Sequence, residues 1–113
     1  MNWLALTSLE QLEAVNKESF EHPIMLFKHS IRCSISSMAK QRLERSKAPD
    51  ALPFYYLDLI NYRAVSNAIA EKFQVHHESP QILLIKNGAC IYDESHNGIN
   101  MAEIEEQFML AAK

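Results

Sequence analysis

Cys33 stands three residues before Ser36 in the run Cys33-Ser34-Ile35-Ser36, with Lys28, His29 and Arg32 in the five residues before it. A thiol does its chemistry as the thiolate, and neighbouring cations favour that form. Free cysteines are also commonly buried and inert, so the surroundings decide between the two readings. Upstream, Pro23 leads into the continuous apolar run Ile24-Met25-Leu26-Phe27, the pattern of a strand buried on both faces. Lys28-His29-Ser30 follows as a polar turn, and from Ile35 the apolar positions Ile35, Met38, Ala39 and Leu43 line one face of a helix. The thiol therefore falls where a buried strand ends and a helix begins. Ligands dock at the carboxyl ends of strands in α/β sheets, and the unpaired N–H groups of a helix N-terminus favour a negative charge. Ser36 can donate to a thiolate or bond its own helix turn. Lacking sulfur, it cannot expel a mixed disulfide.

Other chemistry is thinner. Among five histidines, His76, His77 and His96 show no regular metal-ligand spacing with each other or with Cys90, so no metal is expected. Asp58 reads either as a buried carboxylate able to shuttle a proton for the thiol or as a part-exposed aspartate at a strand end. With only Gly88 and Gly98 present, a Gly-rich phosphate loop is excluded. The basic run Lys40, Arg42, Arg45 and Lys47 reads as a solvated helix end complementing the helix dipole. A net charge of −3 gives no footprint for nucleic acid. No apolar stretch reaches the roughly 18–20 residues that span a bilayer, and Met1-Asn2-Trp3-Leu4 shows no signal peptide. Two cysteines without an export signal point to a reducing cytoplasm and free thiols.

The elements that must position Cys33 fit one domain over residues 1–113. Thr7 and Ser8 offer two registers of a capping box with Glu10 and Gln11, and open a helix carrying Leu9, Leu12 and Val15 inward. Trp3 to Leu6 leaves a short edge strand open. After the Cys33 helix, residues 49–53 break the chain at two prolines. The aromatic and aliphatic run of residues 54–60 reads as a second buried strand. Strand, helix and strand at this spacing make a βαβ unit with parallel strands and a right-handed crossover. Tyr62, Val65, Ile69 and Phe73 mark the next helix. Residues 81–86 form a third strand, and Asn87-Gly88 signals a two-residue hairpin to residues 89–92. Asn100 opens a last helix with Met101, Ile104 and Phe108 facing in. The expectation is an α/β fold with a central mixed sheet of four strands, or five with the edge strand, and helices on both faces.

That order, with a thiol at the first strand-to-helix junction and Pro80 heading the hairpin, resembles the thioredoxin fold. Closer is the similarity to the monothiol, YtxJ-like branch of the bacilliredoxins. It is carried by Phe27-Lys28-His29-Ser30, by Cys33-Ser34-Ile35-Ser36, by His77-Glu78-Ser79-Pro80-Gln81 and by Ser95-His96. The family usually reads Thr-Cys-Pro-Ile-Ser, whereas here Arg32 precedes the cysteine and Ser34 replaces the proline, giving up a residue preorganised for the first helical turn.

The resemblance implies one-thiol thiol–disulfide exchange at Cys33, with Ser36 where a dithiol enzyme has its resolving cysteine. It implies that Pro80 is cis and that Ser79 and Pro80 form the docking edge for a substrate cysteine. It implies bacillithiol as co-substrate with no bound cofactor, and as partners proteins carrying bacillithiol and a thiol reductant or partner reductase. Lys28, Arg32 and the helix N-terminus would seat the malate carboxylates of bacillithiol. Cys90, paired across from Ile85, would lie five residues along the strand from Pro80, roughly 16 Å, far beyond the roughly 7 Å Cα limit for a disulfide. It is expected in the core. Two alternatives stand beside this: a thiol-ligated iron–sulfur carrier, and a non-catalytic thioredoxin-fold binding module.

Overall fold

All six residues of the strand Ile24–His29 (β2) are buried, as a strand must be when it has neighbours on both edges and helices on both faces. The computed structural model describes residues 1–112. In chain order the other elements are β1 (Trp3–Ala5), α1 (Leu9–Glu18), α2 (Ser34–Glu44), β3 (Phe54–Asp58), α3 (Arg63–Phe73), β4 (Gln81–Lys86), β5 (Ala89–Ser95) and α4 (Met101–Ala111). The sheet has five strands in the order β1-β3-β2-β4-β5. The open question at the amino end is answered by pairing: Trp3 lies beside Phe54 in a parallel β1–β3 ladder. β2 and β3 are parallel, and β4 runs antiparallel to both β2 and β5. The fold is that of the expected mixed α/β sheet.

Alternation along β2 splits the core into two layers. Ile24 and Leu26 pack with Leu12 and Val15 of α1 and with Val65 and Ile69 of α3. Met25 and Phe27 pack with Ala39 and Leu43 of α2 and with Met101 and Ile104 of α4. Three helix-face expectations need correction. Leu9 is 53% exposed, leaving Leu12 and Val15 as the buried face of α1. Tyr62 is the N-cap of α3 and is exposed, leaving Val65, Ile69 and Phe73 as its buried face. In α2 the buried stripe is Ser36, Ala39 and Leu43, while Ile35 and Met38 are exposed. Small residues at positions 36 and 39 let the helix approach β2 closely, and this turns the two larger side chains outward.

The hairpin at Asn87 and Gly88 has positive φ at both residues, 53° and 75°, as the two-residue turn of twisted strands requires. Its tip is tied to the end of α1. Ser19 O accepts from the Asn87 N–H at 2.8 Å, and Ser19 Oγ accepts from the Gly88 N–H at 2.9 Å. A Cβ on Gly88 would come within 2.7 Å of the Phe20 ring.

Candidate active site

A turn over residues 30–33 joins β2 to α2, closed by the Cys33 N–H donating to Ser30 O at 3.2 Å. Cys33 is extended (φ −109°, ψ 121°) and is the N-cap of α2, and its carbonyl accepts the first helical bond, from the Ser37 N–H at 3.0 Å. The N–H groups of Ser34, Ile35 and Ser36 precede that first bond and so have no partner within the helix. Two other helices cover this end. Ser8 accepts from Gln11 in α1 and Asn100 from Glu103 in α4, each with an acidic residue in the first turn. α2 has neither a side-chain cap nor an acid there. Its positive end is left open to the part-exposed Cys33.

In the residues flanking Cys33, Ile31, Ile35 and Met38 are 50%, 49% and 61% exposed. They form an apolar rim that the helical spacing alone had assigned in part to the core. Arg32 is exposed in the same turn, and among the described residues it has no carboxylate partner. Lys28 does not join it. Alternation places Lys28 with Leu26, on the sheet face covered by α1 and α3, where it is fully buried. Its Nζ meets His77 Nδ1 at 3.3 Å, and burial pulls its pKa down to about 8. The anion seat expected of Lys28 and Arg32 together is therefore corrected to Arg32 and the open end of α2.

Ser36 is fully buried and held from two sides: its Oγ accepts from the Ser30 N–H at 3.0 Å and lies 2.6 Å from His29 Nδ1. His29 belongs to an aromatic stack that the sequence reading did not assemble. Its ring packs on Phe27 and Tyr56, and Trp3 stacks on Phe27. Lys40 Nζ sits 5.6 Å from both the Trp3 and Tyr56 rings and pairs with Glu44 at 2.7 Å. The parity of β2 carried the missing signal, since residues 25, 27 and 29 must share the α2 face. Arg42, read as a solvated cation, instead donates to the carbonyls of His96 and Ile99, pinning the loop after β5 to α2.

The antiparallel ladder pairs Lys28 with Gln81, so Ser79 and Pro80 lie at the same end of the sheet as the Cys33 turn. The peptide bond between them is cis. The Pro80 carbonyl is taken by the His96 N–H at 3.0 Å, and Ser79 Oγ is buried without a partner. Asp58 caps the turn after β3, accepting from the Ile60 and Asn61 N–H groups and from Asn61 Nδ2. Of its two readings, the strand-end one describes this geometry. Cys90 pairs across from Ile85, which pairs with Ile24 at the far end of β2. Five residues of strand separate Ile24 from His29, roughly 16 Å. Cys90 is not in the core as expected but half-buried against it, and burial pushes its thiol up to about 11, with Asp93 adding to the shift. Among the described residues, no three His, Cys, Asp or Glu side chains converge where a metal ion could be held.

A family model described as the monothiol bacilliredoxin BrxC matches residues 4–104. The chain belongs to the monothiol bacilliredoxin family. A solved structure described as an oxidoreductase with a thioredoxin fold is 31% identical, with a TM-score of 0.78 over 92% of this chain and 91% of that one. Thioredoxins share the fold at lower identity. A single-residue mutant of a thioredoxin from Halobacterium salinarum is 12% identical (TM-score 0.77, 99% and 92% covered), and a thioredoxin from Malassezia sympodialis is 15% identical (TM-score 0.74, 100% and 92% covered). The bacilliredoxin assignment and the thioredoxin fold together make the protein a thiol oxidoreductase.

Proposed function

We propose that Cys33 removes bacillithiol from protein mixed disulfides by a one-thiol route. The observation that carries this reading is the contrast between the two sulfurs. Cys33 is part-exposed at the uncapped end of α2, with a serine one helical turn away where a second thiol would resolve it. Cys90 is half-buried too, but it lies at the far end of the sheet and its thiol is pushed up to about 11. In the first step the Cys33 thiolate attacks the bacillithiol sulfur. A Cys33–bacillithiol disulfide forms, the client's disulfide breaks, and the client thiolate leaves to be protonated by water. In the second step an external thiolate attacks the bacillithiol sulfur, a new disulfide forms between those two, and Cys33 leaves as thiolate. Thiolate fraction, nucleophilicity and access govern both rates.

The rim of Ile31, Ile35 and Met38 offers an apolar landing for a client chain, and the edge at Ser79 and Pro80 can take its backbone. Arg32 and the open N–H groups of α2 suit the malate carboxylates of bacillithiol. The test compares Cys33→Ser with Cys90→Ser on a client carrying bacillithiol, with free bacillithiol as reductant. Loss of removal in the first variant alone is expected. Equal loss in both, with each still folded, would remove the basis of the proposal.

A further inference from the structure

β2 leads into the Cys33 turn and has a neighbour on each side, β4 on one and β3 on the other. The Ser79–Pro80 edge lies on the β4 side. On the β3 side, between that strand and α2, is a cleft of about 280 Å³ lined by His29, Ser37, Lys40, Gln41, Glu44 and Tyr56. One wall is a stripe of α2, because residues 37, 40, 41 and 44 recur at three- and four-residue steps and share a face. Ser37 opens the stripe, and its N–H is the one that donates to the Cys33 carbonyl at 3.0 Å. The cleft therefore begins one helical turn, about 5.4 Å, from the Cys33 backbone.

The lining sets polar groups around an aromatic floor, where the Tyr56 and His29 rings meet with centroids 5.5 Å apart. At the far end, Glu44 takes the Lys40 ammonium at 2.7 Å and the Trp3 indole N–H at 2.9 Å, which holds those chains in place. Lys40 keeps two of its three N–H donors free of Glu44. Among the described residues, the Ser37 hydroxyl, the Gln41 amide and the Tyr56 hydroxyl have no side-chain partner. Gln41 is exposed, and Ser37 and Tyr56 are half-buried, so all three are within reach of a ligand. An aromatic face ringed by hydroxyl, amide and ammonium groups suits a sugar, whose C–H face packs on the ring while its hydroxyls take the polar partners. The volume is at the small end of ligand sites, which run from roughly 300 Å³, and fits one ring.

Bacillithiol supplies such a ring, since a glucosamine joins its cysteine to its malate. A cysteinyl arm spans one residue, roughly 3.5 Å of backbone plus its side chain, which matches the one-turn step from Cys33 to the cleft. We propose that the cleft between α2 and β3 is the sugar subsite for the low-molecular-weight thiol, with Ser37, Gln41 and Tyr56 bonding its hydroxyls. This deepens the bacillithiol reading above and rests on it. A client on the β4 side and a sugar on the β3 side leave both halves of the mixed disulfide held at once.

Two measurements test the site. The first is a ¹H–¹⁵N titration with glucosaminyl malate, which is bacillithiol without its cysteine and has no sulfur. Shifts centred on the Ser37, Lys40 and Gln41 amides and on the Gln41 side chain are expected. Shifts confined to the Cys33 turn and Ser79, or none, would overturn the proposal. The second compares kcat/KM on one peptide capped through its cysteine by bacillithiol and on the same peptide capped by plain cysteine. The unaltered protein should prefer the first, and Gln41→Ala and Tyr56→Phe should each cut that preference roughly two- to tenfold, the scale of one hydrogen bond. Equal slowing on both peptides would mean that the two residues only support α2, and the proposal would fall. Binding of glucosaminyl malate at the cleft of a protein that strips neither peptide upholds the sugar site and sinks the exchange reading. Equal stripping of both peptides by the unaltered protein sinks the sugar site alone.

Discussion

Cys33 and Cys90 carry the same thiol and differ in what surrounds it. Burial, with Asp93 beside it, puts the Cys90 pKa at about 11, so at pH 7.5 its thiolate is on the order of one molecule in a thousand or fewer. Brief iodoacetamide treatment of the folded protein at pH 7.5 should therefore add one label, on Cys33, and a second label should appear only with denaturant. Peptide mapping of the labelled sites checks this. Lys28 makes the opposite kind of prediction. Its ammonium is buried beside His77 with no carboxylate partner among the described residues, and its pKa falls from 10.5 to about 8. The unfolded chain then binds the proton more tightly than the folded one, so this group destabilises the fold below pH 8, and the penalty fades as pH rises towards 10.5. Lys28→Met should raise unfolding stability at pH 7 by on the order of 1–2 kcal/mol, discounted for the contact that the His77 ring nitrogen offers the ammonium. Denaturant melts at pH 7 and pH 10 should show that gain shrinking.

At the scale of elements, the junction from β2 to α2 combines an open helix end with a first turn held by one serine. Ser34 occupies the first helical position, where the family usually has proline. Ser34→Pro should raise stability by about 0.4–1 kcal/mol through a less flexible unfolded chain, measured as an upward shift in the urea midpoint. Ser19 tests a different joint, since it accepts the Gly88 N–H at the hairpin tip. Ser19→Ala should cost about 1–3 kcal/mol by leaving a part-buried donor unpaired.

Strand parity and turn chemistry made much of this legible from residues alone. The continuous apolar run of Ile24 to Phe27 marked the central strand, Asn87-Gly88 marked the hairpin, and from these the distance of Cys90 followed. Helix faces were less legible where small polar residues do the packing. Ser36 carries no hydrophobic signal to compete with Ile35 and Met38, so those two residues were placed on one apolar face with Ala39 and Leu43. Lys28 misled for a related reason. A cation near a thiol in sequence counts towards its site only if the strand turns both to one face, and here β2 turns Lys28 to the other. The joining of His29 to Ser36 and Lys40 depends on contacts between β2, β3 and α2 that no local pattern contains.

For the whole molecule, one sheet separates the chemistry from the remaining sulfur. The open end of α2, the cis Ser79–Pro80 edge and the Arg32 cation gather at one end. Cys90 sits near the other, roughly 16 Å of strand away. On the proposed one-thiol reading, Cys33 takes up one sulfur and depends on an outside thiol to release it. The most direct measurement is the intact mass of the unaltered protein over time, after mixing with a client that carries bacillithiol and with no other thiol present. The account predicts a single bacillithiol adduct on Cys33 that persists, while a Ser36→Cys variant converts the same adduct to an internal disulfide, because a thiol one turn away acts at a high effective concentration. An adduct that the unaltered protein sheds unaided would mean that Cys90 reaches the site, and would contradict the one-thiol mechanism.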